Sequence, residues 1–358
     1  MIFLITLFFG LIYLYVACHG IYLMDSPKWI KMSLLILLLP GVVNIAAVLA
    51  WGSKMPQMCV NLFAAAGLTL IYLGVGTLFI DLIRWTYKPI PALTTIIVFA
   101  CFVLSAYAVY RAQKLPVVHE MRIHSTELPK DWKPLKIIQL SDLHIGQGFT
   151  KERLEKVVQK TNELKPDVIF ITGDSIDQPV AKLGENMWAL EKLKAPTYMV
   201  FGNHEYYYGP NAWKKHFEKM GIPVLVNQPI TLDNQGKKYV VGGADFGGWI
   251  QKDKIPENLD KTFAGTDAEL PRLLLIHYPI VFDEAIKRNV LLQLSGHTHG
   301  GMTPPISWVT KLFNGGYVSG LYKKGKSSLY LSDGTGLWTG MPARLGTTNE
   351  IVVIYLER

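Results

Sequence analysis

Four apolar runs crowd the first third of this chain: Ile2 to Met24, Met32 to Trp51, Met58 to Ile83, and Ala92 to Tyr110. Each is close to the ~20 residues a helix needs to cross the hydrocarbon core of a bilayer. Backbone inside lipid must satisfy its own polar groups, so runs of this kind are expected to be helices. Short polar breaks such as Asp25-Ser26-Pro27-Lys28 and Lys88-Pro89-Ile90-Pro91 separate them. The first run lacks a basic leader and a small-x-small cleavage site, and three more follow it, which argues against a cleaved signal peptide. Residues 1–114 are therefore expected to form a four-helix transmembrane region of a multi-pass cell-membrane protein. An even number of spans puts both termini on one side. Lys28, Lys31, Arg84 and Lys88 flank one side and Lys54, Arg111 and Lys114 the other, so the positive-inside rule leaves the side of the catalytic domain open.

Charge and cysteine narrow the chemistry. The formal net charge is +8, of which +5 falls at or before Lys114 and +3 after it, where 29 basic residues meet 26 acidic ones. The excess sits mostly in loops around apolar segments, which fits membrane flanks better than a nucleic-acid groove, so nucleic acid is not an expected partner. The cysteines, Cys18, Cys59 and Cys101, all lie in the apolar third. Any metal held by the remainder must use nitrogen and oxygen ligands.

After a linker at 115–134 the pattern changes to alternating strands and helices over 135–358. Leu135 to Leu140 reads as a strand, Thr150 to Leu164 as a helix with Leu154, Val157, Val158, Thr161 and Leu164 on one face, and Asp167 to Thr172 as the next strand. A helix around Glu185 to Leu193, a strand Pro196 to Phe201 and a helix near Asn211 to Met220 follow. Lys238 to Val241, Leu273 to Ile276 and Val290 to Leu294 continue the sheet elements. Ser328 to Leu331 and Glu350 to Leu356 read as alternating, antiparallel-looking closing strands. Such alternation implies a layered α/β domain with ligands beyond the carboxyl ends of its strands.

Those ends carry the chemistry. Ser141-Asp142-Leu143-His144 follows the first strand; if extended, Asp142 and His144 point the same way and can share one ion. Gly173-Asp174-Ser175-Ile176-Asp177 follows the second, and Gly202-Asn203-His204-Glu205 the third. Later strands deliver His277 and Gly296-His297-Thr298-His299-Gly300-Gly301. Five of the nine histidines fall in these short runs, too many for isolated caps and turns.

The ordered set Asp142-x-His144, Gly173-Asp174, Gly202-Asn203-His204-Glu205, His277 and Gly296-His297-x-His299 resembles the calcineurin-like metallophosphoesterase superfamily. The segments Gly202 to Tyr208 and Gly296 to Gly301, and the tail with Pro342-x-Arg344-Leu345-Gly346, are most similar to a bacterial membrane-associated branch of it. The resemblance covers roughly Leu135 to Arg358 and implies a calcineurin-like β-sandwich flanked by helices. It also implies two divalent metal ions: Asp142, His144 and His299 on the first, Asn203, His277 and His297 on the second, and Asp174 bridging both. A sulfur-free set of carboxylate, amide and imidazole suits manganese, iron or zinc. The resemblance makes His204 the catalytic group donating to the phosphate or leaving oxygen, with attack by metal-bound hydroxide. Asp177 and Glu205 are expected to orient imidazoles. Arg344 is expected either to contact a substrate phosphate or to form a surface salt bridge. Gly300 and Gly301 read as clearance for metals or substrate.

Asp177 is followed by Gln178-Pro179 rather than Arg-Gly, unlike protein serine/threonine phosphatases of the superfamily. It also stands where purple acid phosphatases carry a tyrosine ligand. The expected activity is hydrolysis of a phosphomonoester, phosphodiester or pyrophosphate at a membrane, with a lipid-linked substrate favoured by the four spans and by resemblance to diphosphatases acting on UDP-diacylglucosamine. The competing readings are a nucleotide phosphodiesterase or nuclease of the same fold, and a membrane transport or assembly protein with an inactive phosphoesterase domain.

Overall fold

The computed structural model describes residues 2–44, 46–47, 55–86, 91–146, 148–248 and 251–358. The chain divides into two units, Met1–Gln113 with Thr339–Leu345, and Lys114–Trp338 with Gly346–Arg358.

Among the described residues of the first unit, three helices are long and apolar enough to cross a membrane: Phe3–Leu23, Gln57–Trp85 and Pro91–Ala112. Of the expected run Met32 to Trp51, the structure describes a 15-residue helix, Lys28–Val42, shorter than a span. Residues 45 and 48–51 of that run lie outside the described residues. Asp81, the acidic residue of the third run, accepts a hydrogen bond from the Tyr15 hydroxyl at 2.6 Å and one from Arg84 at 3.2 Å. The chain enters this unit a second time through Thr339–Leu345, where the Arg344 N–H donates to the Ala108 carbonyl at 2.9 Å.

The second unit is built on two sheets. The first has the order β1-β11-β2-β3-β4, from Val117–His124 (β1), Leu135–Leu140 (β2), Val168–Thr172 (β3), Thr197–Val200 (β4) and Glu350–Glu357 (β11). The second has the order β5-β6-β7-β8-β10-β9, from Gln228–Asn234 (β5), Lys237–Gly243 (β6), Arg272–Leu275 (β7), Val290–Ser295 (β8), Gly320–Lys324 (β9) and Ser327–Leu331 (β10). Successive side chains on a strand face opposite ways, and the sequence uses both faces. Ile137, Val168 and Phe170 join Leu273, Leu275, Leu292 and Leu294 in the core between the sheets. Their neighbours Ile138, Ile169 and Ile171 face the helices Lys151–Glu163, Val180–Met187 and Pro210–Lys219. On the far side, Leu274 and Ile276 pack with Leu259, Phe263 and Ala285. The result is a four-layer α/β/β/α sandwich, the fold class expected for this part. Gln139 stitches the sheets together, donating through Nε2 to Thr172 Oγ1 and to the Ser295 carbonyl, both at 2.9 Å.

The structure departs from the sequence reading at the sheet margins. Residues 115–134, expected as a linker, contain β1, which pairs in parallel with β11. β5 and β9 were also not expected. All three are edge strands with largely exposed, polar residues, so no run of apolar residues announces them. The closing strands are not alternating: β10 is buried throughout and β11 nearly so, because each is flanked on both sides within its sheet. Nor are they purely antiparallel, since β10 runs parallel to β8 and β11 parallel to β1.

Glu350, buried at the start of β11, accepts from the Tyr330 hydroxyl at 3.0 Å, Ser332 Oγ at 3.1 Å and the Asp333 N–H at 2.9 Å. His119 Nδ1 lies 3.1 Å from its other oxygen, and that hydrogen bond raises the His119 pKa above the usual histidine value. A raised folded-state pKa adds stability below the unfolded value, near pH 6.5, that is lost as pH rises through the folded one. The His119→Gln variant should therefore lose stability relative to wild type at pH 6 but not at pH 9 in paired thermal melts. The half-exposed ring limits the difference to less than about 1 kcal/mol.

Candidate metal centre

The site forms where β2, β3 and β4 of one sheet and β7 and β8 of the other end together. Beyond the strands their loops stay hydrogen-bonded. Asp142 and His144 donate their N–H groups to the Gly173 and Asp174 carbonyls, both at 3.0 Å, and Gly296 donates to His277 O at 3.0 Å. Asp142, His144, Asp174, His297 and His299 all have positive φ, between 45° and 77°. That region is sparsely used by residues other than glycine, and clusters of it mark sites where the backbone is forced for function. It corrects the expectation for Asp142 and His144. They do not alternate along an extended segment; both sit in left-handed turns, with Leu143 fully buried between them.

These turns assemble three groups of side chains whose ligand atoms lie within 4.8 Å of one another: Asp142, His144 and His299; Asp174, His277 and His297; and His144, Asp177 and His204. Asp174 Oδ2 stands between them, 3.2 Å from His277 Nε2, 3.9 Å from His144 Nε2 and 3.8 Å from His204 Nε2. Its other oxygen accepts the His204 N–H at 2.8 Å. Asp142 Oδ1 lies 3.4 Å from His299 Nε2, and both Asp142 oxygens accept the His297 N–H. His297 and His299 thus fall into different groups, turned apart by Thr298.

The donors fit a cation. His144 and His299 bring Nε2 atoms within 3.0 Å of each other, a separation suited to two nitrogens facing one ion. His277 donates Nδ1–H to the Thr172 carbonyl at 2.8 Å, which turns its buried Nε2 toward Asp174 Oδ2, 3.2 Å away. Asn203 is buried; its amide bonds to Tyr207, while Oδ1 has no partner. Buried polar atoms without partners are costly, and a metal ion would satisfy them.

The electrostatics agree. Burial and the charge of neighbouring His277 push the His297 imidazole down to about 3, holding it neutral. For His277 and His204 burial works downward too, but Asp174 and the other carboxylates outweigh it and hold them up at about 9 and about 10. Burial would raise Asp174, yet the surrounding imidazoles keep its carboxyl well below the usual range. The carboxylates here demand positive charge, from protons or from metal.

Asp177 and Glu205 support the cluster in different ways. Asp177 Oδ1 lies 2.7 Å from Nδ1 of both His144 and His204. Among the described residues, the hydrogen bonds of Glu205 go to backbone N–H groups rather than to an imidazole. Its carboxylate accepts the N–H groups of Asp174 at 3.1 Å, Ser175 at 2.6 Å and Gly202 at 2.7 Å, so it fixes the backbone that carries Asp174. Burial and the Asp174 charge push Glu205 up to about 7 despite these donors. Arg344 is buried, not a surface group, and it belongs to the segment Thr339–Leu345 of the first unit.

The glycines also have other jobs than expected. A Cβ on Gly300 would strike Asp333 and Thr347, and one on Gly301 would strike Ser307, so both are empty for neighbouring loops rather than for metals or substrate. Gly296 and Gly202 clear the site instead, because a Cβ on Gly296 would run into Ser141 Oγ and the Asp142 carboxylate, and one on Gly202 into the Asp174 carboxylate. Gly296→Ala should displace Asp142 and lower stability by about 1–3 kcal/mol, read as a fall in melting temperature together with weaker metal binding. Ser141, which donates to Asp142 Oδ2 at 2.6 Å, and the Thr172 carbonyl are supporting groups the sequence reading missed. Neither carries a signal in one sequence, since serine is common at strand ends and a carbonyl is present at every residue.

Comparison with known proteins gives the same reading. Residues 135–301 match the family model for calcineurin-like phosphoesterases. The chain is 32% identical over 251 residues to an uncharacterized metallophosphoesterase of Helicobacter pylori, covering 69% of this chain and 65% of that one. It is 30% identical over 267 residues to a transmembrane protein with metallophosphoesterase domain of Danio rerio, covering 72% and 61%. It is 33% identical over 272 residues to the uncharacterized metallophosphoesterase YkuE of Bacillus subtilis, covering 70% and 89%. The chain thus spans a little under two thirds of the length of the first two relatives and most of the third. On the family model, these relatives and the strand-end geometry together, the chain belongs to the calcineurin-like phosphoesterase family.

Proposed function

We propose that this chain is a membrane-anchored, metal-dependent phosphoric ester hydrolase with a binuclear centre, acting on a phosphoester or pyrophosphate of a lipid-linked substrate. The observation that carries it is the meeting of two ligand groups at one buried carboxylate: Asp142, His144 and His299 on one side of Asp174, His277 and His297 on the other. In this reading Asp142, His144 and His299 hold one ion, Asn203, His277 and His297 the second, and Asp174 bridges them. The donor set favours manganese, iron or zinc. Bound metal would supply positive charge against the phosphoryl oxygens and acidify water.

The chain's own residues supply the rest. His204, on the short helix Asn203–Tyr207, has a side chain 13% exposed at the rim of the cluster. Its Nδ1 faces Asp177, so Nε2 is the atom free to give a proton to a departing oxygen. Asp177 positions His144 and His204 at once, coupling a ligand to the proton donor. The three apolar helices support a multi-pass cell-membrane location, and with it a substrate presented at the bilayer.

Purified full-length protein supplied with manganese should hydrolyse an aryl phosphate ester and a phospholipid-linked pyrophosphate. The His204→Ala variant should keep about two ions per chain while kcat falls ~10²–10⁴-fold, the usual contribution of a positioned acid. An unchanged kcat would remove His204 from the mechanism. A substrate screen in which only nucleotides or nucleic acid are cleaved would replace the lipid-linked reading.

A further inference from the structure

The loop that carries His297 and His299 runs on into the helix Ile306–Phe313 and returns at Val318, whose carbonyl accepts the Thr298 hydroxyl at 2.8 Å. The helix is fastened at its start as well. The Ser307 N–H donates to Thr303 O at 3.0 Å, and the Ser307 backbone lies against Gly301 where a Cβ would collide. Fixed as it is, the helix buries none of its residues. Trp308 is 70% exposed, Val309 55%, Leu312 78% and Phe313 76%, and these are the four most exposed large apolar side chains among the described residues of the catalytic unit. Positions 308, 309, 312 and 313 share one helical face. A contiguous exposed apolar face on an otherwise well-buried unit marks a contact surface.

The contact surface matches lipid better than protein. A stable protein interface takes roughly 20–30 residues a side, and this face is four side chains on an eight-residue helix. Tryptophan and phenylalanine beside lysine is the composition of helices lying in the headgroup region. Lys311 stands on the same helix and Lys323 on β9, where the excursion comes back. The chain also carries its own bilayer context, since only residues 113–116 separate the last membrane-length helix from β1.

We propose that the helix Ile306–Phe313 inserts Trp308, Leu312 and Phe313 into the surface of a lipid bilayer carrying anionic headgroups, and so holds the histidine loop at headgroup level. The insertion requires no catalysis; its consequence, that the phosphoester is taken from the bilayer surface, rests on the function proposed above.

The test uses the full-length chain in vesicles of phosphatidylcholine and phosphatidylglycerol, with Cys18, Cys59 and Cys101 changed to Ser and an environment-sensitive fluorophore on Leu312→Cys. A second sample carries the label on Lys215→Cys, an exposed position of the helix Pro210–Lys219. Lipids bearing a nitroxide near the glycerol should quench the label at 312 several times more than that at 215, and aqueous iodide should do the reverse. Equal quenching at the two positions would overturn the proposal. Shielding at 312 from both quenchers would overturn it too, because a protein or a second copy would then cover the face. The triple variant Trp308→Ser, Leu312→Ser, Phe313→Ser should keep its rate on a soluble aryl phosphate. Its kcat/KM on a vesicle-borne phosphoester should fall roughly tenfold or more, given what burying three such side chains contributes. An unchanged ratio of the two activities would overturn the consequence. No hydrolysis by the unsubstituted protein would overturn the proposed function and leave the quenching contrast to decide the insertion.

Discussion

Asp174→Asn is expected to reduce hydrolysis by at least ~10²–10³ in kcat, the range for losing one preorganised electrostatic partner, and to lower bound metal from about two ions per chain to one or none. The substitution keeps size and shape. An amide oxygen at Oδ1 still accepts the His204 N–H, so the loop need not move. At Oδ2, however, the acceptor that faces His277, His144 and His204 becomes an N–H₂ donor without charge. The carboxylate shared by the two proposed ions is then lost, leaving Asp142 to face the first and none to face the second. Metal content by elemental analysis, rate on an aryl phosphate and a thermal melt of the metal-free protein separate the effects. Wild-type metal content with a wild-type rate would refute the bridging role.

Glu205→Ala acts by another route and is expected to lower stability by at least about 3 kcal/mol, because three buried N–H groups lose their acceptor at roughly 1–3 kcal/mol each. For a unit of this size that is a fall in melting temperature of about 6 °C or more. The three groups belong to Asp174, Ser175 and Gly202, so the turn carrying Asp174 loosens together with the start of the helix carrying Asn203 and His204. Glu205→Gln should be nearly as damaging, since its amide N–H₂ would face donors. If Glu205 served only to orient an imidazole, the glutamine variant would melt like the wild type, and differential scanning of the metal-free protein distinguishes the two.

The strands β2, β3, β7 and β8 were legible in the sequence because each is largely buried on both faces and so reads as a mostly apolar run. β1, β5 and β9 were not, because an edge strand takes its hydrogen bonds from one neighbour and needs little apolar surface. The same logic separates the site residues. Asp142, His144, Asp174, His277, His297 and His299 announced themselves by residue type at strand ends. The role of Glu205 did not, since a glutamate next to a histidine looks like an imidazole partner until its three backbone donors are seen. Arg344 reads either as a phosphate contact or as a surface salt bridge, and its burial in Thr339–Leu345 speaks only against a surface position.

The sequence by itself determined the α/β layering, the apolar first third, and a sulfur-free set of candidate ligands at the strand ends. Those follow from periodicity and residue type, which are local and survive in a single string. Only the tertiary structure decided how the residues meet. The left-handed turns at Asp142, His144, Asp174, His297 and His299 exist because five strand ends from two sheets converge and hydrogen-bond beyond their last ladder residues. It also decided that Gly296 rather than Gly300 or Gly301 clears the site, and that the helix after them keeps its apolar face exposed. Backbone conformation and burial at such points are set by contacts between residues far apart in the chain, and no local pattern encodes them.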